Sequence, residues 1–139
     1  MKIGFDAKRL FCTPTGLGNY SRTLVQKLLQ HGQDDHHYNL YTPSIRLEAA
    51  TVAPFTAPPL HIHQAGKVPS AWWRSVGLSP LLRQHQIDLY HGLSHELPFG
   101  LAQRGIKTVV TIHDLIFKRH PEWYPWIDRQ IYDLKSRYN

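Results

Sequence analysis

The chain has a single cysteine, Cys12, among 139 residues. No disulfide framework can form within it, so a reducing compartment, the cytoplasm, is the expected setting. Long apolar runs are also missing. No stretch approaches the ~18 residues that a membrane span needs, and the opening Met1-Lys2-Ile3-Gly4-Phe5-Asp6 is too short for the apolar region of a secretory signal. There is no block of one charge. Sixteen Lys and Arg against ten Asp and Glu give a formal charge of +6, spread from Lys2 to Arg137, a pattern that argues against a nucleic-acid tail and favours anionic small molecules or lipid head groups. Repeats and low-complexity segments are absent. At 42% hydrophobic and 19% charged residues, the length suits one globular domain.

Hydrophobic periodicity supplies the elements. Lys2 to Asp6 reads as a short buried strand. After a loop with Thr13, Pro14, Thr15 and Gly16, apolar residues fall at Leu17, Tyr20, Leu24, Val25, Leu28 and Leu29, which is a helical stripe that Gly32 is placed to stop. His37 to Thr42 and Leu60 to His63 read as strands, separated by a proline-containing loop or broken helix. Ser70 opens a short aromatic helix, and Ser79-Pro80 has the form of an N-cap followed by a first-turn proline ahead of Leu81-Leu82. Ile87 to Tyr90 is a strand ending at His91-Gly92. Thr108 to Ile112 is the most apolar strand, as a central parallel strand would be, and it ends at His113-Asp114. Strands alternating with helices predict an α/β, Rossmann-like doubly wound sheet, mostly parallel, with ligands beyond the carboxyl ends of its strands. Tyr124, Ile127, Ile131, Leu134 and Tyr138, spaced 3, 4, 3 and 4, form an apolar helical seam still running at Asn139. A piece of a longer protein is therefore expected.

Three groups of residues can carry chemistry. Gly16-Leu17-Gly18-Asn19-Tyr20-Ser21 opens a helix after a strand, so its backbone amides and helix dipole can hold a phosphate. It resembles the dinucleotide motif, with Ser21 in place of the last glycine. However, nine residues separate Asp6 from Gly16, and the acidic Asp34 and Asp35 precede the second strand instead of ending it, which lowers the nicotinamide reading. His91, His95 and His113 with Asp114 form the second group. His91 and His113 sit at strand ends, where a histidine can donate to or accept from a sugar hydroxyl or phosphate and a following aspartate can orient it. As metal ligands they lack an accompanying H-E-x-x-H or cysteine pair. Lys67, Trp72, Trp73 and Arg74 make a basic-aromatic patch suited to an anionic membrane surface, or else two tryptophans of the core.

Four segments together resemble the N-terminal domain of retaining family 4 glycosyltransferases, the N-terminal half of a GT-B fold. They are Lys2 to Arg9, Thr15 to Tyr20 with Leu24, Asp88 to Gly92 followed by Leu97-Pro98, and Val109 to Leu115 with Pro121 beyond. The resemblance implies an acceptor-side domain over residues 1–139, transferring a hexose from a nucleotide-sugar donor to a glycan or lipid-linked acceptor, with no cofactor or metal. It assigns donor-phosphate contacts to Gly16, Leu17, Gly18 and Asn19, catalytic roles to His113 and Asp114, and acceptor contacts to Arg9, His91 and His95. The family's second domain, with the nucleotide pocket and a Glu-x7-Glu motif, has no counterpart in the chain, so the isolated domain is expected to be inactive. The partners implied are the nucleotide sugar, the acceptor and a peripheral contact with the inner face of the cell membrane, and no nucleic acid. Two other readings compete: a non-catalytic binding or regulatory fragment, and a metal-dependent hydrolase using His91, His113 and Asp114.

Overall fold

Five parallel strands form one sheet in a computed structural model that describes residues 1–32 and 35–113. The strands are β1 (Lys2–Asp6), β2 (His37–Thr42), β3 (Leu60–Gln64), β4 (Leu89–Gly92) and β5 (Lys107–Val110), in spatial order β3-β2-β1-β4-β5. The α/β, Rossmann-like expectation is therefore correct. Because the chain builds outward from β1 in one direction and then returns to add β4 on its other side, the strand order reverses between β1 and β4. That crevice is where open α/β sheets hold ligands.

Register separates the two faces. Ile3 lies beside Tyr38 and Leu89, and Tyr38 beside Leu60. These side chains pack with Leu10 and Phe11 of α1 (Lys8–Cys12) and with Val25 of α2 (Gly16–His31) into one core. On the other face Tyr41 and Tyr90 pack with Trp73, Leu78, Leu82 and Ile106. Gly4 lies between the two tyrosines: a Cβ there would sit 3.1 Å from each ring, so the missing side chain lets them close over β1. Each fully buried Leu or Phe contributes roughly 1.5–3 kcal/mol relative to exposure, and several sit on each face.

The helix α2 ends at Gly32, as the stop signal predicts, but for a steric reason. Its φ is −70°, and a Cβ would come 2.2 Å from the Tyr38 hydroxyl and 2.4 Å from the Leu28 carbonyl. The segment between β2 and β3 holds α3 (Ala49–Val52) and a 3-10 turn, Ala53–Phe55.

Residues 70 to 84 differ from the expectation. A helical segment starts at Ser70 as α4 (Ser70–Trp72), widens into a π turn over Trp73–Gly77 and continues as α5 (Leu78–Gln84). Ser79 and Pro80 thus lie inside the helix, and the Ser79 hydroxyl donates to the Phe99 carbonyl instead of capping. The amide that proline lacks falls just after the π turn, where the backbone ladder is already changing register. The most apolar strand is also placed differently: among the described residues β5 is at the sheet edge, with Val109 43% exposed. The apolar seam from Tyr124 onward lies outside the described residues.

Candidate functional site

The carboxyl ends of β1, β4 and β5 bring together most of the residues singled out by sequence. The imidazole of His91, on β4, shares a hydrogen bond of 2.9 Å with the Thr111 hydroxyl just beyond β5. The same Thr111 oxygen lies 3.3 Å from the Tyr20 hydroxyl on α2. Tyr20 in turn meets the His113 ring edge-on, with centroids 4.8 Å apart. His113 also donates its backbone N–H to His95 Nε2 at 2.8 Å, and its own Nε2 lies 2.9 Å from the Leu93 carbonyl.

These bonds settle tautomers. A carbonyl only accepts, so His113 Nε2 carries a proton, and in the neutral ring Nδ1 holds the lone pair. His95 Nε2 accepts a backbone proton, so that nitrogen is unprotonated. Burial holds the His91 pKa below its ordinary value, so that ring is neutral near pH 7. The arrangement offers imidazole nitrogens able to exchange hydrogen bonds with hydroxyl groups. Asp114 lies outside the described residues.

The glycine loop flanks this edge. Gly16 adopts φ +35° with open space around its Cβ position, while a Cβ on Gly18 would lie 1.8 Å from the Thr13 carbonyl oxygen. At Gly18 the close approach is made by the chain's own backbone, and its N–H donates to the Thr15 carbonyl at 2.8 Å. Gly16 and Leu17 contribute first-turn amides, which helices leave without intrahelical acceptors. Arg22 holds the loop in shape: Nη1 donates to the carbonyls of Leu10 (2.8 Å) and Thr13 (3.0 Å), and Nη2 donates to Pro14 (3.1 Å) and to Asn19 Oδ1 (2.7 Å). The Asn19 side chain is thereby committed to Arg22.

Beside the loop, at the switch point, Arg74 Nη2 lies 2.6 Å from Asp6 Oδ2 and 2.7 Å from Glu96 Oε2. Burial alone would lower the Arg74 pKa, but the two carboxylates outweigh it, so the guanidinium stays charged. The basic-aromatic patch consequently divides. Trp73 is in the core at 6% exposure and Arg74 is an internal ion-pair partner, whereas Trp72 is 56% exposed, near the exposed Lys67 and Val68 in sequence. Arg9 lies on α1 after Lys8, at the same carboxyl edge.

Sequence reasoning missed Arg22, Glu96, Thr111, the ion-pair role of Arg74, which it places in a surface patch, and the placement of Tyr20, which reads as a core residue of the helical stripe yet is 39% exposed. It also missed a cavity of about 390 Å³ at the opposite, amino-terminal end of the sheet, lined by Lys2, His37, Asn39, His61, His63 and His85. There the His63 and His85 rings lie tilted to each other with centroids 4.3 Å apart, and each stacks on Tyr41, whose hydroxyl is 2.8 Å from His85 Nδ1. Among the described residues no group of three His, Cys, Asp or Glu is disposed to hold a metal ion, and no helix is long and apolar enough to cross a membrane.

Residues 14–138 match the sequence profile of Glycosyltransferase Family 4. No curated protein and no solved structure matches the chain.

Proposed function

The chain belongs to glycosyltransferase family 4, and from that premise we propose that residues 1–139 form the acceptor-side domain of an enzyme moving a hexosyl group from a nucleotide sugar to a glycan or lipid-linked acceptor, with retention. The observation that carries the reading is the convergence of the glycine loop, His91, His95 and His113 on the crevice where the strand order reverses.

In this reading the amides of Gly16 and Leu17 face the donor diphosphate, with the helix dipole adding to them. Gly18 and Asn19 shape the loop. His113 positions the transferred sugar: its Nε2 is anchored on Leu93, leaving Nδ1 to accept from a sugar hydroxyl. Asp114, next in sequence, keeps the catalytic role that the family resemblance assigns to it beside His113. Arg9, His91 and His95 contact the acceptor. Base recognition belongs to a second domain, so residues 1–139 alone do not turn over. The metal-dependent hydrolase reading is not favoured, because among the described residues no group of three His, Cys, Asp or Glu is disposed to hold a metal ion. The work takes place in the cytoplasm, with Trp72 and the net positive charge giving a peripheral contact with anionic lipid.

The test is a transfer assay on the full-length protein. His113→Ala should lower kcat by about 10²-fold, the usual scale for losing a positioned proton-exchanging group, with thermal unfolding little changed. Unchanged kinetics would remove His113 from the site.

A further inference from the structure

The carboxyl end of β1 gathers five charged residues, and their pairing is uneven. Asp6 is 4% exposed, and both it and Glu96 are drawn to one guanidinium, that of Arg74, at 2.6 and 2.7 Å. The other Asp6 oxygen accepts the Lys8 backbone N–H at 3.2 Å. Two cations remain on α1. Lys8 and Arg9 are each half-buried, and the Lys8 ammonium has no hydrogen-bond or ion-pair partner among the described residues.

A partly desolvated ammonium beside other cations is an unfavourable arrangement unless an anion joins it. The Lys8 environment has that character: burial, then Arg74, then Arg9 disfavour its charge, and Glu96 and Asp6 offset them only in part. The carboxylates are close enough to be felt, yet Arg74 holds them away from pairing with Lys8. The location is the carboxyl end of β1 at the switch point, where open α/β sheets hold ligands.

We infer that Lys8, with Arg9, is an oxyanion subsite that takes a phosphoryl or carboxylate group of the acceptor, while the Asp6–Arg74–Glu96 clamp keeps the protein's own carboxylates out of it. This rests on the acceptor-side reading above and narrows the acceptor to an anionic one.

The experiment is an NMR titration of the 139-residue chain with inorganic phosphate, glucuronate and glucose, following the amides of residues 8 and 9 and the Lys8 side-chain methylenes. Millimolar binding of phosphate or glucuronate that shifts the Lys8 signals is expected, the tighter of the two naming the group, and glucose should leave them still. Lys8→Gln should weaken the binding at least ~10-fold, Lys8→Arg should restore it, and Lys27→Gln, on the outer face of α2, should have no effect. Lys8 methylenes silent to both anions in the unmodified chain would overturn the inference whatever the variants do, as would shifts confined to Gly16 and Leu17 or equal binding of glucose. A parallel transfer assay on the full-length protein separates the two claims. Transfer only to neutral acceptors overturns the subsite and leaves the transferase reading, while anion binding at Lys8 without any transfer does the reverse.

Discussion

Replacing Gly18 by alanine sets two effects of known size against each other. In an exposed helix interior, Gly→Ala gains about 1 kcal/mol because the backbone loses less freedom on folding. At position 18 the new Cβ would sit 1.8 Å from the Thr13 oxygen, 2.8 Å from its carbonyl carbon and 3.0 Å from the Arg9 oxygen. All three atoms are backbone, and the Thr13 carbonyl is held by the Arg22 guanidinium at 3.0 Å. α2 must therefore move away from α1, which places the cost near the upper end of the ~1–3 kcal/mol range for overpacking. The net expectation is destabilisation by about 2 kcal/mol, a fall in Tm of roughly 8 °C for a domain of this size. Gly16→Ala serves as the comparison: its φ of +35° strains alanine, but nothing lies within 4 Å of the added methyl, so about 1 kcal/mol is lost. Thermal unfolding of both variants by circular dichroism decides the matter. If Gly18→Ala melts at or above the parent temperature, or above Gly16→Ala, then Gly18 is not a packing residue and the reading of the loop fails.

Arg74→Ala should destabilise the fold by about 3 kcal/mol in urea unfolding, because it leaves the Asp6 carboxylate buried and unpaired; a loss below about 1 kcal/mol would show the clamp to be ornamental. The pKa of His63 is lowered to about 4 by burial, then by His85 and His61. The unfolded chain therefore binds the extra proton first, and stability present above about pH 6.5 should decline as pH falls towards 4; His63→Gln should flatten that slope in urea midpoints taken across the window. Calorimetry of the 139-residue chain with UDP- or GDP-sugars should show no micromolar binding, and micromolar affinity would show that a second domain is not needed for recognition. Co-sedimentation with anionic but not zwitterionic vesicles should weaken with salt and fall in Trp72→Ala, while Trp73, being buried, is the wrong residue to test this way.

The strands and α2 were legible because their signals are local. His37 to Thr42 is bounded where its pattern says, and the α2 stripe needs only the 3.6-residue period to be seen. His91 lies at the end of β4 as its pattern predicts, whereas β5 stops at Val110, two residues before the expected Ile112, so His113 lies three residues past the strand. What was not legible depends on pairing across distance. Arg74 and Asp6 are 68 residues apart and Tyr20 and Thr111 are 91 apart, and no spacing rule links them. Ser79-Pro80 misled because a serine before a proline has the same local form at a helix start and just after a π turn; the choice is made by the Phe99 carbonyl, which takes the serine hydroxyl. Trp72 and Trp73 are adjacent and identical in chemistry, so only the helix phase, shifted by the π turn, assigns one to the core and one to solvent.

That division changes the meaning of the net charge. A formal +6 read from composition treats every Lys and Arg as available to a ligand. In the folded chain Arg22 is consumed by the carbonyls of Leu10, Thr13 and Pro14 and by Asn19, and Arg74 by two carboxylates. Both arginines act as internal staples at the sheet's carboxyl edge, where a planar fork of donors can satisfy several acceptors at once and a lysine cannot. Among the described residues, the cations that remain near the crevice are the two that follow β1, Lys8 and Arg9. A guanidinium whose N–H donors are spent within its own protein offers an external anion few direct hydrogen bonds, so what a substrate meets depends on position more than on total charge, and the unspent cations lie where β1 and β4 part.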